Sequence, residues 1–423
     1  MRFIADLHIH SRYSRATSGE MSPEGLWRWA QIKGISVIGT GDVTHPLWLE
    51  ELREKLEPAG NGLFRLRKKY RPDTVPGSCR SEVYFLLTAE ISCIYRKNDR
   101  TRKVHSVLLV PAFDDAVRIN SALSAIGNLR SDGRPILGLD AKRLLQILID
   151  CSPGAMLVPA HAWTPHFSIF GAASGFDSIE ECFEELSPQI HAIETGLSSD
   201  PAMNWRISAL DNITLISNSD AHSPSKIGRE ANILDTEMSY EGILGAIRTR
   251  RGFAGTIEFF PEEGKYHNDG HRACGVSMTP EETGRHGGHC PVCGKKVTVG
   301  VLHRIDRLAD RASGVRPPGA LPYHPIIPLA EVVAEALHKG VATKAVDTAY
   351  FGLVRELGNE FRILLDTPQD DIARAGSARI AEAVRRMRVG DLHIAPGYDG
   401  EYGKVRILEK VEIPCPGGQA PLF

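Results

Sequence analysis

Over the first 258 residues, short apolar runs rich in β-branched side chains alternate with amphipathic stretches, and no other feature restricts the fold as much. Runs at Phe3–His8, Ser36–Thr40, Glu82–Glu90, Val104–Val110, Ala155–His161, His191–Thr195 and Thr214–Asn218 have the length and composition of strands. The stretch SPEGLWRWAQIKG between the first two carries a full set of helix signals: Ser22 as N-cap, Pro23 in the first turn and Gly34 as the stop. DDAVRINSALSAIGN, DAKRLLQILID and YEGILGAIRTRRG follow the same grammar. Strand–helix alternation predicts an α/β fold with a parallel sheet, and seven repeats predict closure into a barrel.

Chemistry-bearing residues collect at the ends of these strands. His8, His10, Asp42, Glu90, His161, Glu194, Asp220 and His222 fall at or just past C-terminal ends, with Asp6 nearby. In barrels of alternating strands and helices that rim is where active sites are built. His105 lies near the start of its run, which predicts a locally antiparallel pair between Glu82–Glu90 and Val104–Val110. His8 and His10 are one residue apart in a strand, so they face the same side.

Composition limits the alternatives. A chain of 423 residues exceeds one ordinary core and predicts two or three domains. No stretch approaches the roughly 18 apolar residues of a membrane span, so no membrane partner is expected. The first strand begins almost at the initiator Met, leaving no room for a signal peptide, and a cytoplasmic location is expected. Eight cysteines in this length do not suggest a disulfide scaffold. A net charge of -2 does not exclude nucleic acid, because distribution matters more than the sum. Basic residues cluster in FRLRKKYR (Phe64–Arg71), RKNDRTRK (Arg96–Lys103) and RRMR (Arg385–Arg388), which favours a phosphate-backbone partner.

In chain order the site pieces read DLHIHS, GTGDVTH, TAEIS, KVHSVLL, VPAHAW, IETG and SNSDAHSP. This series resembles the PHP family of metallo-phosphoesterases over roughly the first 60% of the chain. The resemblance implies a distorted seven-stranded barrel with up to three divalent metals, zinc, manganese or magnesium. It implies that His8, His10, Glu90 and Asp220 hold a first metal, that Glu90 bridges to a second held by His105 and His161, and that Asp42 and His222 hold a third. Many members have His where Asp42 stands, so the third position departs from the family pattern. Arg12, Arg15, His45, Lys226 and Arg229 lie close in sequence to these residues and are candidates for binding phosphate.

In the second half, His271-x-x-Cys274 and Cys290-x-x-Cys293 are joined by a 15-residue span, the spacing of a structural zinc site. His267, His286 and His289 compete with His271 for the fourth position. Arg304, Arg307 and Arg311 share one face of a predicted helix, with Asp306 and Asp310 on another. Helices are predicted at Pro328–His338, Thr343–Leu357 and Ser377–Met387, followed by a hairpin turning at Asp399-Gly400. The expected division is a barrel over 1–258, a zinc-binding module over 259–302, and a mainly helical DNA-binding region with hairpin and tail over 303–423.

Barrel, knuckle and the GYDGEYGKV segment together resemble the endonuclease Q family over essentially the whole chain. That resemblance implies a repair endonuclease that cuts 5′ to uracil, hypoxanthine or an abasic site in damaged double- or single-stranded DNA, with the lesion flipped out of the helix. Trp163, Phe167 and Phe170 are candidates to stack on such a base. The terminal QAPLF (Gln419–Phe423) resembles the peptide by which repair proteins bind a sliding clamp. Two other readings remain: a phosphatase of a small phosphomonoester, and an inactive DNA-binding or helicase-accessory module.

Overall fold

The computed structural model describes residues 1–408; the proposed clamp-binding segment Gln419–Phe423 lies outside the described residues. The fold is mixed α/β, built on one large sheet with helices around it. All seven anticipated strands are present: β1 (Arg2–Asp6), β2 (Val37–Gly39), β3 (Tyr84–Lys97), β4 (Arg100–Val110), β5 (Met156–Pro159), β6 (Ala192–Glu194) and β7 (Thr214–Ile216). β1 pairs with β2 and β2 with β3 in parallel, whereas β3–β4 and β4–β5 are antiparallel and β6–β7 is parallel. Single hydrogen bonds link the remaining neighbours. Ala162 N–H donates to Glu194 O between the ends of β5 and β6, and His10 N–H donates to Ala221 O beyond β7 and β1.

Alternate residues of these strands turn to a shared interior. Phe3, Ala5 and Leu7, Val107 and Leu109, and Val158 and Ala160 join one apolar cluster with Ala192 and Ile216. The intervening Leu108 and Val110 join the larger cluster under the helices. Strands buried on both faces in this way read as continuous apolar runs.

Several elements exceed the sequence expectation. β3 and β4 form a long hairpin, with Ser92 opposite His105 and Lys97 opposite Arg100. The basic stretch RKNDRTRK is therefore the tip of that hairpin, turning through Asn98 and Asp99 at positive φ. Two further strands, β8 (Ala231–Asp235) and β9 (Phe253–Glu258), extend the sheet antiparallel from β1. A tenth, β10 (Tyr323–Pro325), pairs in parallel with β9 although it comes from the C-terminal third.

The first helix, Pro23–Lys33, begins and ends where its signals put it: the Ser22 hydroxyl accepts from Gly25 N–H, and Gly34 closes it in the left-handed region. The C-terminal helices form at Leu329–Ala336, Lys344–Leu357, Gln369–Ala375 and Ala378–Val389. They are tied to the first helix by a buried ion pair, Lys33 Nζ to Glu360 at 2.7 Å, and Glu360 also accepts from Tyr350 Oη and Leu329 N–H. No described helix is long and apolar enough to cross a membrane.

Of the arginines expected on one face of the helix Val301–Leu308, Arg304 alone points inward; Arg307 is exposed and Arg311 lies past the helix end. Arg304 is buried and donates to the carbonyls of Phe170 and Phe176 and to Asp177, while Arg311 pairs with Asp211. The other basic stretches are also largely committed. Arg71 pairs with Glu82, Arg102 with Glu181, and Arg385 and Arg386 with Glu382, and Arg388 donates to two carbonyls. Lys68, Lys69, Arg96 and Arg100 remain exposed.

Candidate metal centre

Past the end of β1, Ile9 bridges to Ala221, and this pairing turns His8 and His10 toward Asp220. Glu90, in the middle of β3, completes a group whose ligand atoms all lie within 4.8 Å of one another: His8, His10, Glu90 and Asp220. A second group, Glu90, His105 and His161, shares its carboxylate. Glu90 Oε2 lies 3.1 Å from His10 Nε2 and 3.4 Å from His8 Nε2; Oε1 lies 2.6 Å from His105 Nδ1 and 3.1 Å from His161 Nε2. The antiparallel β3–β4 register is what sets His105 beside this carboxylate.

Fixed dipoles and charges dominate the site. Burial disfavours charge on His8 and His10, but Glu194 and Glu90 around the first and Asp42 and Asp220 around the second outweigh it and raise both pKa values well above that of an ordinary imidazole. Burial would raise Glu90, yet His105 and His8 hold it well below the usual carboxylate range, and Asp220 is lowered by His10 and His8 in the same way. His8 Nε2, His10 Nε2 and Asp220 Oδ1 are buried without a hydrogen-bond partner. Orphaned lone pairs of this kind converging with carboxylates fit a cation. Asp42, His161 and Asp220 all adopt positive φ, conformations that non-glycine residues rarely hold and that cluster at functional sites.

Asp42 and His222 belong to neither of these two groups. Asp42 Oδ1 lies 3.1 Å from His10 Nδ1, and Oδ2 accepts from Ser11 N–H, Ser11 Oγ and Ser14 Oγ. Through these contacts Asp42 is placed to orient His10. His222 is partly exposed, its Nδ1 donating to Asp220 O.

Two residues of the site carried no sequence signal for their roles. Glu194 is fully buried; it accepts from His8 Nδ1 at 3.0 Å, His161 N–H at 2.8 Å and Asn218 Nδ2 at 2.9 Å. Arg134, in the loop before Ile136, places Nη1 3.1 Å from Glu90 Oε2. Asp6 is structural, accepting from Ser219 N–H and Gly228 N–H, with burial pushing its pKa up to about 6.

Most of the candidate phosphate binders are engaged elsewhere. Arg12 pairs with Glu51, Lys226 with Glu331, and Arg15 lies near Asp132. Arg229 braces the carbonyls of Ser219 and Asp220, and His45 stacks on Tyr13. Of the three aromatics, Trp163 and Phe170 are core residues, Trp163 donating to Asn204. Phe167 is partly exposed and tilts over His105, ring centroids 4.9 Å apart.

The second cluster joins His271, Cys274, Cys290 and Cys293, so His271 is the histidine brought to the thiols. Cys293 Sγ lies 3.6 Å from His271 Nδ1. Three sulfurs and one imidazole fit a tetrahedral zinc. The C-terminal hairpin, His393–Ala395 with Lys404–Arg406, reaches this module through Asp399, which accepts from Arg272 N–H and Thr298 Oγ1.

The chain is similar to the crystal structure of the lesion-specific endonuclease PfuEndoQ from Pyrococcus furiosus, with a TM-score of 0.84, 32% identity and 98% of each chain covered. The chain belongs to the endonuclease Q family. A further endonuclease Q structure, a complex with a 27-mer duplex substrate carrying an abasic lesion at the active site, matches at a TM-score of 0.82 and 32% identity, covering 98% of this chain and 99% of that one. Residues 328–391 match the MJ0043 C-terminal domain family. The uncharacterized protein MJ0043 of Methanocaldococcus jannaschii is 33% identical over 261 residues, 60% of this chain. The match spans only 32% of that protein's length.

Proposed function

We propose that this endonuclease Q family member hydrolyses the phosphodiester 5′ to a deaminated base, uracil or hypoxanthine, or to an abasic site in damaged DNA. The observation that carries the reading is the pair of ligand groups sharing Glu90, in a chain that matches along its length an endonuclease bound to an abasic duplex. We read β1–β7 as a distorted barrel within residues 1–258 whose rim holds the site, residues 259–302 as a zinc-binding module, and the remainder as a DNA-binding region.

His8, His10, Glu90 and Asp220 would hold one divalent ion, and Glu90, His105 and His161 a second; zinc, manganese and magnesium are the candidates for this imidazole–carboxylate mixture. When bound, such ions supply Lewis acidity for the phosphoryl group and a water acidified enough to attack near neutral pH. The protein's own part is preorganisation. Glu194 accepts a hydrogen bond from His8 Nδ1, and Asp42 one from His10 Nδ1, which leaves each Nε2 lone pair facing the ion positions. Phe167, beside His105, offers a ring on which a base or sugar can rest. His271, Cys274, Cys290 and Cys293 would hold a structural zinc.

The test uses four labelled duplexes, undamaged or carrying one uracil, one hypoxanthine or one abasic site, each with manganese, magnesium or zinc. A single nick 5′ to the lesion is expected. Absence of nicking, with phosphate released from a small monoester instead, would replace this reading with the phosphatase. The clamp partner rests on the five residues Gln419–Phe423 alone. A truncation after Gly418 that still binds a sliding clamp would remove it.

A further inference from the structure

Among the groups around Glu90, Arg134 does not fit the description of a metal ligand. The imidazoles can give up a proton and offer a lone pair to a cation. A guanidinium can do neither, since it stays charged throughout the working pH range and has no acceptor. Yet Arg134 Nη1 lies 3.1 Å from the carboxylate common to both ligand groups, with its side chain 30% exposed.

The loop that carries it is built to keep it there. Gly133 N–H donates to Tyr13 O, and Ser92 N–H donates to Pro135 O, so the loop is pinned between the HxH segment and β3. Asp132 Oδ1 accepts from Arg15 N–H and Arg134 N–H. At Gly133 a Cβ would stand 2.2 Å from Asp42 Oδ2 and 2.3 Å from Ser14 Oγ; only glycine lets the loop lie this close. A rigid loop that delivers a permanent cation into a prospective metal centre works against the metal unless an anion accompanies it. The anion this site would process is a phosphodiester, and a planar guanidinium with spare N–H donors matches its non-bridging oxygens.

We infer that Arg134 grips the phosphodiester being cleaved, contributing a donor to the oxygens that gain charge as the bond breaks. The inference rests on the endonuclease reading. Arg134→Ala and Arg134→Lys would be compared with wild type in two measurements, manganese binding by calorimetry and cleavage of an abasic duplex under single-turnover conditions. Loss of one transition-state donor is expected to slow Arg134→Ala by about 100-fold or more. Lysine keeps the charge but loses the fork, so Arg134→Lys should fall between. Manganese affinity should stay the same or tighten in both variants, because a neighbouring cation is removed or unchanged.

If Arg134 merely props Glu90, manganese affinity falls in step with cleavage, and the inference is overturned. Unaltered cleavage in Arg134→Ala overturns it as well. Failure of the wild-type protein to nick any lesion duplex is a separate result, and it strikes at the endonuclease reading itself.

Discussion

Glu194 contacts neither of the two prospective ions, yet the structure makes it the group on which His8 depends, and Glu194→Gln puts a number on that dependence. The carboxylate is fully buried and its two oxygens receive three kinds of donor: His8 Nδ1–H, His161 N–H and Asn218 Nδ2. Glutamine keeps the shape but turns one oxygen into an NH₂ group, which must then face either His161 N–H or the Asn218 amide. One buried donor is left opposing another, at a cost of about 1–3 kcal/mol in stability. With the partner of Nδ1 weakened, His8 is no longer held in the tautomer that directs Nε2 at the ion. Removing such outer partners typically lowers metal affinity about 10–100-fold, or roughly 1.4–2.7 kcal/mol. Calorimetric titration of manganese into EDTA-stripped wild type and variant measures the second effect, and thermal melting in EDTA measures the first. Wild-type manganese affinity in Glu194→Gln, with a lowered melting temperature, would refute the orienting role and leave only a structural one.

Other expectations follow from the same geometry. Because His8, His10 and His161 have raised pKa values in the metal-free site, an ion must displace protons, so metal affinity should rise with pH above about 6.5; a pH-independent affinity contradicts this. In the metal-free protein those imidazoles stabilise the fold fully below about 6.5 and lose that contribution as pH rises through their raised values. The lowered Glu90 and Asp220 act in the opposite sense, stabilising above about 4 and losing it as pH falls. Cys290→Ala should abolish zinc retention by the small module, read by metal analysis after gel filtration, and weaken DNA binding more than it slows cleavage of saturating substrate. Arg304→Met should lower stability by about 3 kcal/mol in urea titration, since it strands the carbonyls of Phe170 and Phe176 in the interior.

The parts of this molecule that could be read from sequence are those encoded by local periodicity. Each of the seven strands and the helix from Pro23 to Lys33 announces itself within a dozen residues. Of the six residues in the two ligand groups, His8, His10, His161 and Asp220 stand just past strand ends, where side chains converge, whereas Glu90 and His105 sit mid-strand and are brought together by the β3–β4 pairing. The contacts of Asp42 with Ser11 and Ser14 become visible only once the loop is folded. Glu194 lies 186 residues from His8, and nothing local links them. Arg134 belongs to a loop without a motif. Arg304 shows how spacing alone misleads: of three arginines assigned to one face, it alone turns to the core, where backbone carbonyls wait, while Arg307 stays exposed. β8 and β9 were passed over because ANILD and FAGTIE are short and broken by polar or glycine residues; tertiary pairing with β1 makes them strands.

The strand Tyr323–Pro325 bears on how such a protein can be divided. It supplies the outer neighbour of Thr256, Ile257 and Glu258, and Ile326 N–H donates to Glu258 O just beyond it. A fragment ending at 258 would expose that row of peptide groups as a bare sheet margin, inviting self-association. The segment 1–258 is therefore not a cassette that can be cut out at the end of its own last strand. Any recombinant fragment, or any exchange of the downstream region during evolution, has to bring along three residues that lie 65 positions further down the chain.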